Sequence, residues 1–110
     1  MKCTIEDNGS FILLRIEGSM SDDYLREIRT SFDESVDRGQ SMIVDLSEVT
    51  YISSSGLGLL FNSNARLKNR GKKLVVTGIR EDIRRLFSVT RIENHIILAD
   101  SLDEAYQIIG

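Results

Sequence analysis

The apolar positions change their spacing several times along the chain, and each change marks an element. Ile12, Leu14 and Ile16 share one face of residues 10–17, the period-two pattern of a strand with a core side. Residues 2–6 predict its hairpin partner across Asp7-Asn8-Gly9, because Asn and Gly tolerate the positive φ of a tight turn. After Gly18 the spacing becomes three and four: Leu25, Ile28, Phe32 and Val36 form the stripe of an amphipathic helix, which Gly39 ends. Met42 to Leu46 then predicts a short buried strand, and a second helix runs from about Ser55 until Gly71 stops it. Leu74-Val75-Val76 is a further buried strand. Ile79, Ile83, Leu86 and Phe87 mark a third helix, Ile96 to Leu98 another strand, and Ser101-Leu102-Asp103-Glu104 is a capping box opening a terminal helix.

Strand, helix, strand, helix, strand between Met42 and Leu98 implies right-handed crossovers and a mostly parallel sheet, with the N-terminal hairpin as its antiparallel edge. The fold class expected is therefore α/β (α+β), a mixed sheet with about four helices packed on it. Repeats, linkers and low-complexity stretches are absent, so residues 1–110 read as one domain.

Composition narrows the function classes. With one cysteine, Cys3, and one histidine, His95, an internal disulfide and a cysteine–histidine zinc cluster are excluded, and neither a metal nor a cofactor is expected. A reducing, cytoplasmic setting fits. Seventeen acidic against fourteen basic residues give a net charge of −3, which argues against a nucleic-acid backbone as partner. No strictly apolar stretch exceeds four residues, far below the ~18 needed for membrane insertion. A protein or small-ligand partner remains.

The informative segment is Asp45-Leu46-Ser47-Glu48-Val49-Thr50-Tyr51-Ile52-Ser53-Ser54-Ser55-Gly56-Leu57-Gly58-Leu59-Leu60. Three serines stand where strand gives way to helix. One suffices as an N-cap; a further serine in the first turn lies where free amides and the helix dipole tolerate a phosphate. At 100° per residue, Leu57, Leu60, Phe61, Asn64 and Leu67 fall together as the expected core side, and Ser55, Gly58, Leu59, Asn62 and Arg66 fall opposite. Two glycines and an outward leucine suit a docking surface; the plainer account is close packing at the glycines and one harmless exposed leucine.

Enzymatic alternatives fit poorly. The G-x-S-x-G elbow of serine hydrolases is absent, and His95 stands at a strand start. The P-loop pattern is also absent, and Gly71-Lys72-Lys73 reads as a helix stop with cations at the negative dipole end. Cys3 reads as a half-buried packing residue. Arg80-Glu81-Asp82 with Arg84-Arg85 reads as the solvated face of the third helix.

In this segment the chain resembles the STAS domain family, especially bacterial anti-sigma factor antagonists, whose pattern is D-L-S-x-V-x-[YF]-[IM]-D-S-[ST]-G-L. Asp45-Leu46-Ser47, Val49, Tyr51-Ile52 and Ser54-Ser55-Gly56-Leu57 stand at the matching places. Gly18, the Gly-Lys-Lys entry to the Leu74 strand and Leu86-Phe87 extend the likeness over almost the whole chain. The resemblance implies a protein switch rather than a catalyst. It implies Ser55 as phosphoacceptor, and Ser21, Asp22, Ser53, Ser54, Ser55, Gly56, Gly58, Leu59 and Asn62 as the partner-binding surface. The implied partners are an anti-sigma factor that is also a serine kinase, and a phosphatase reversing it. A STAS interaction module outside sigma control, such as a stressosome-like scaffold or an accessory subunit of a membrane transport complex, would use the same helix. The chain departs from the pattern twice, each time by loss of a carboxylate: Ser53 and Ser21 stand where the family usually has Asp.

Overall fold

The computed structural model describes residues 1–110. Strands β1 (Lys2–Asp7) and β2 (Phe11–Met20) form the hairpin; a 3₁₀ turn at Asp22–Tyr24 leads into helix α1 (Leu25–Asp37). Strand β3 (Ser41–Ile52), helix α2 (Ser54–Asn69), strand β4 (Leu74–Thr77) and helix α3 (Glu81–Val89) follow, then a 3₁₀ turn at Ile92–Asn94, strand β5 (Ile97–Ala99) and helix α4 (Leu102–Ile109). The five strands lie in the order β1-β2-β3-β4-β5. Only the β1–β2 pair is antiparallel.

The helices divide unequally between the faces of this sheet. On one face Ile12, Leu14 and Ile16 of β2, Met42, Val44 and Leu46 of β3, and Leu74 and Val76 of β4 meet α1, α2 and α3. On the other, Leu13, Ile43, Val75 and Ala99 pack against Ala105 of α4. Residues 42–46 and 74–77 are buried without alternation because their strands are covered on both sides. The segments that looked uniformly apolar in sequence are thus the central strands.

Three boundaries differ from the sequence expectation. β3 extends six residues past Leu46, to Ile52. It keeps pairing with a β2 that also runs long, through register shifts at Arg15/Glu17 and Gly18/Ser19. The exposed pair Ser47-Glu48 breaks the alternation and hides the continuation. Ile79 lies in the loop before α3, which starts at Glu81 with Arg80 as N-cap. Ile96 is buried but precedes β5.

The largest correction concerns the phase of α2. Leu59 is only 8% exposed and belongs to the main core, whereas Phe61 is 45% exposed. The buried set is Gly56, Leu57, Leu59, Leu60, Ser63 and Leu67. Its centre is rotated by roughly 60° from the side marked by the apolar residues alone, at 100° per residue. Small residues caused the error: Gly56 and Ser63 face inward because bulkier neighbours need the room, yet neither counts as apolar.

Candidate functional site

The site is the junction between β3 and α2. Ser53, in extended conformation, caps the helix with its hydroxyl accepting from the amide of Gly56 at 3.1 Å. Its own amide donates to the carbonyl of Met20 at 3.0 Å. This bond ties the start of α2 to the end of β2, where Met20 pairs with Ile52, and so brings Ser21 and Asp22 to the same edge. Ser21 is half-buried and Asp22 exposed, at the start of the 3₁₀ turn.

With Ser53 used as the cap, Ser54 and Ser55 occupy the first two positions of α2 and are both exposed. Gly56 is buried for a steric reason, since a Cβ there would lie 2.9 Å from Ile52 Cγ1 and 3.2 Å from the Met20 carbonyl oxygen. Gly58 is different: a Cβ there would meet nothing within 4 Å. The fold requires glycine at 56 and does not require it at 58.

The exposed ridge of α2 separates two grooves. Toward α1 lies a polar groove of about 390 Å³, lined by Leu25, Arg29 and Asp33 of α1 and by Ser55, Asn62 and Arg66, among others, of α2. Asp33 accepts from Arg66 at 2.6 Å and the Val36 carbonyl accepts from Arg70 at 2.8 Å. The pairing advances in the same direction on both helices, which therefore run parallel. On the other flank, about 290 Å³ is enclosed by Ser54, Leu57, Phe61, Thr90, Ile92 and His95. Phe61 meets His95 edge-on at 5.7 Å, and Asn64 donates to the His95 carbonyl at 2.9 Å. Gly58 lines both grooves, as the low point of the ridge between them.

Of the residues expected from the sequence, Ser55, Gly58 and Asn62 share the α1-facing groove and Ser54 and Gly58 the opposite one. Leu59 reaches the first groove only as part of its largely buried wall. Sequence reasoning missed Arg29, Ser63 and the Arg66–Asp33 pair. The spacing Leu25-Arg29-Asp33, one residue every four, carries a usable signal for a single line along α1.

A second polar cluster lies earlier on β3, where it pairs with the end of β4. Asp45 is 4% exposed; it accepts from Arg15 Nε at 3.0 Å and from the Ser47 amide at 2.9 Å. Burial pushes its carboxyl up, but the bonds from Ser47 and Arg15 outweigh this and hold it below the usual carboxylate range. Gly78, at φ +74, closes over it: a Cβ there would lie 2.7 Å from Asp45 Oδ1 and 2.8 Å from the Ser47 amide nitrogen. Burial pushes the Cys3 thiol above its ordinary value, with a partly opposing hydrogen bond from Ser31, which disfavours the reactive thiolate. No group of three or more His, Cys, Asp or Glu side chains is arranged to hold a metal, and no helix is long and apolar enough to cross a membrane.

The STAS domain family model matches residues 2–105, and the chain belongs to that family. It is 34% identical over 61 residues to the anti-sigma-B factor antagonist of Listeria monocytogenes, which covers 56% of this chain and 54% of that protein. The chain thus spans about half the length of the curated relatives it matches at this level. In three dimensions it resembles an anti-sigma factor antagonist from Mycobacterium paratuberculosis, with TM-score 0.90 and 19% identity, covering 98% of this chain and 92% of that one. It also resembles the Bacillus cell fate determinant SpoIIAA in its phosphorylated form, with TM-score 0.74, 14% identity and coverage of 97% and 99%. At such identities these two likenesses establish the fold.

Proposed function

We propose that this STAS domain is a phosphorylation-regulated anti-sigma factor antagonist. In its unmodified form the ridge of α2 binds an anti-sigma factor that is also a serine kinase, and the sigma factor is released. Phosphorylation of Ser55 blocks that binding, and a phosphatase restores it. The observation carrying this reading is the division of labour at the junction: Ser53 caps the helix, leaving the Ser55 hydroxyl exposed in the first turn beside a glycine that the fold does not need.

The mechanism is local. A phosphate adds about −1.5 to −2 charges at neutral pH, close to helix amides whose dipole offsets some of that charge. The fold therefore has no reason to open. A partner surface that buries a neutral hydroxyl, however, must then accommodate a bulky dianion. Bacterial relatives whose names identify them as anti-sigma-B factor antagonists support this assignment.

The test is capture of partners from native cytosol followed by phosphosite mapping with the captured kinase and ATP. Wild type should be labelled and Ser55→Ala left blank. Label persisting on the alanine variant, or mapping to Ser53 or Ser54, overturns the site. Recovery of a scaffold assembly or a permease in place of a kinase overturns the sigma assignment.

A further inference from the structure

The groove between α1 and α2 has a polar lining that the chain does not satisfy. The hydroxyl of Ser63 is fully buried in its wall and has no hydrogen-bond partner, whereas serines inside helices ordinarily bond back to a carbonyl one turn earlier. Two guanidinium groups line the same groove. Arg66 is engaged by Asp33 at 2.6 Å and lies 3.7 Å from Asp37, but Arg29 has no ion-pair partner. The Ser63 hydroxyl and the Arg29 guanidinium are thus donors on this groove that no group of the chain engages, while its one carboxylate, Asp33, is taken up by Arg66.

Ser55 stands at the N-terminal end of this groove. Because α1 and α2 run parallel with Asp33 level with Arg66, Arg29 is level with Asn62, seven residues beyond Ser55. That is about 10 Å of helix rise. Helical side chains lean toward the N-terminus, so Arg29 leans toward Ser55. A phosphoserine side chain and an arginine side chain together span such a gap.

We propose that the α1–α2 groove is an oxyanion site whose resident, once Ser55 is phosphorylated, is the chain's own phosphate, held by Arg29. This deepens the function proposed above and rests on Ser55 being the modified residue. The captured phosphate lies along the groove and covers the approach to Gly58 and Asn62, so modification closes the docking ridge by filling it as well as by adding charge. The other charged groups around this face are Asp22 and Asp23 in the turn before α1, Asp33 and Asp37 on α1 and Arg66 on α2. Asp22 and Asp23 repel a phosphate left at the helix start and favour its swing toward Arg29.

The experiment uses the full chain with phosphoserine installed at position 55 during synthesis, so that its outcome does not depend on any kinase. Phosphorus NMR is followed through a pH titration for that chain and for its Arg29→Gln and Arg29→Lys variants. Capture predicts that Arg29→Gln raises the second phosphate ionisation by about half a pH unit and that Arg29→Lys restores part of the difference. The Arg29 Nε–H signal should also shift on phosphorylation. Identical titrations in all three chains, with an unmoved Arg29 signal, overturn the capture and leave the phosphate in solvent. If instead kinase labelling fails at Ser55 while the synthetic phosphochain shows capture, the oxyanion site stands and the proposed regulation falls.

Discussion

Two polar clusters, one midway along β3 and one where β3 passes into α2, are built on opposite terms. Around Asp45 both carboxylate oxygens are engaged, one by Arg15 and one by the Ser47 amide, and Gly78 approaches so closely that no side chain fits. Around Ser55 the polar groups face outward, and the glycine at 58 has open space where its side chain would be. The first cluster spends its hydrogen bonds inside the chain and fixes a loop. The second leaves the hydroxyls of Ser54 and Ser55 exposed. Similar residue types at similar places can therefore serve stability or recognition, and their partners decide which.

The sharpest way to break this contrast is at Gly78. A Cβ there collides with Asp45 and the Ser47 backbone at a positive φ, so Gly78→Ala should cost about 3 kcal/mol through combined strain and overpacking, read as a shift in the denaturation midpoint. A loss below about 1 kcal/mol would show the Asp45 corner to be loose.

Leu59 tests the border between the outward-facing cluster and the core. As an 8% exposed member of the core, its truncation in Leu59→Ala should lower stability by about 2–3 kcal/mol, in the range for large-to-small core changes. A variant with unchanged melting and weakened partner binding would return Leu59 to the docking surface.

Asp45→Asn should cost about 2 kcal/mol at neutral pH, toward the low end for charged hydrogen bonds because the Arg15 side chain is 36% exposed. The pH dependence follows from the lowered carboxyl. Its contribution is fully present above the unfolded value near about 4 and is lost as pH falls through the still lower folded value. Urea titrations at stepped pH should show wild type and variant converging in that acid window. A gap that persists well below it would assign the effect to packing.

The smallest effect separates the two glycines of α2. Gly58→Ala should leave stability unchanged or raise it by up to about 1 kcal/mol, because alanine is the better helix former and meets nothing, while partner affinity falls. Gly56→Ala should instead destabilise, since Ile52 and the Met20 carbonyl stand in the way. Equal behaviour at the two positions would erase the distinction on which the docking ridge rests.

Much of this was readable in the sequence wherever burial and hydrophobicity coincide. The α1 stripe of Ile28, Phe32 and Val36 is buried as spaced, the two-sided strands around Met42–Leu46 and Leu74–Val76 lie at the centre of the sheet, and the Ser101 cap does accept from Glu104. Legibility failed where small or polar residues do the inward-facing work. Ser63 and Gly56 turned α2 without registering as apolar, so Leu59 and Phe61 exchanged places. The three serines announced a junction, but only geometry assigns the cap to Ser53 and leaves Ser55 free. Arg29 shares a legible line with Leu25 and Asp33, but that line acquires a meaning only once a second helix lies beside it.

The choice of Ser53 as cap also sets where the junction stands electrically. The family pattern places a carboxylate there; this chain places a hydroxyl, which bonds the Gly56 amide without carrying charge. The three-serine turn is neutral, and a phosphate on Ser55 would move it to about −2 rather than from −1 to about −3. The step is the same size, but its starting point is zero, so the resting form neither attracts nor repels an approaching surface through this turn. The capping oxygen also belongs to a different residue from the proposed acceptor, so a phosphate on Ser55 would leave the helix its start.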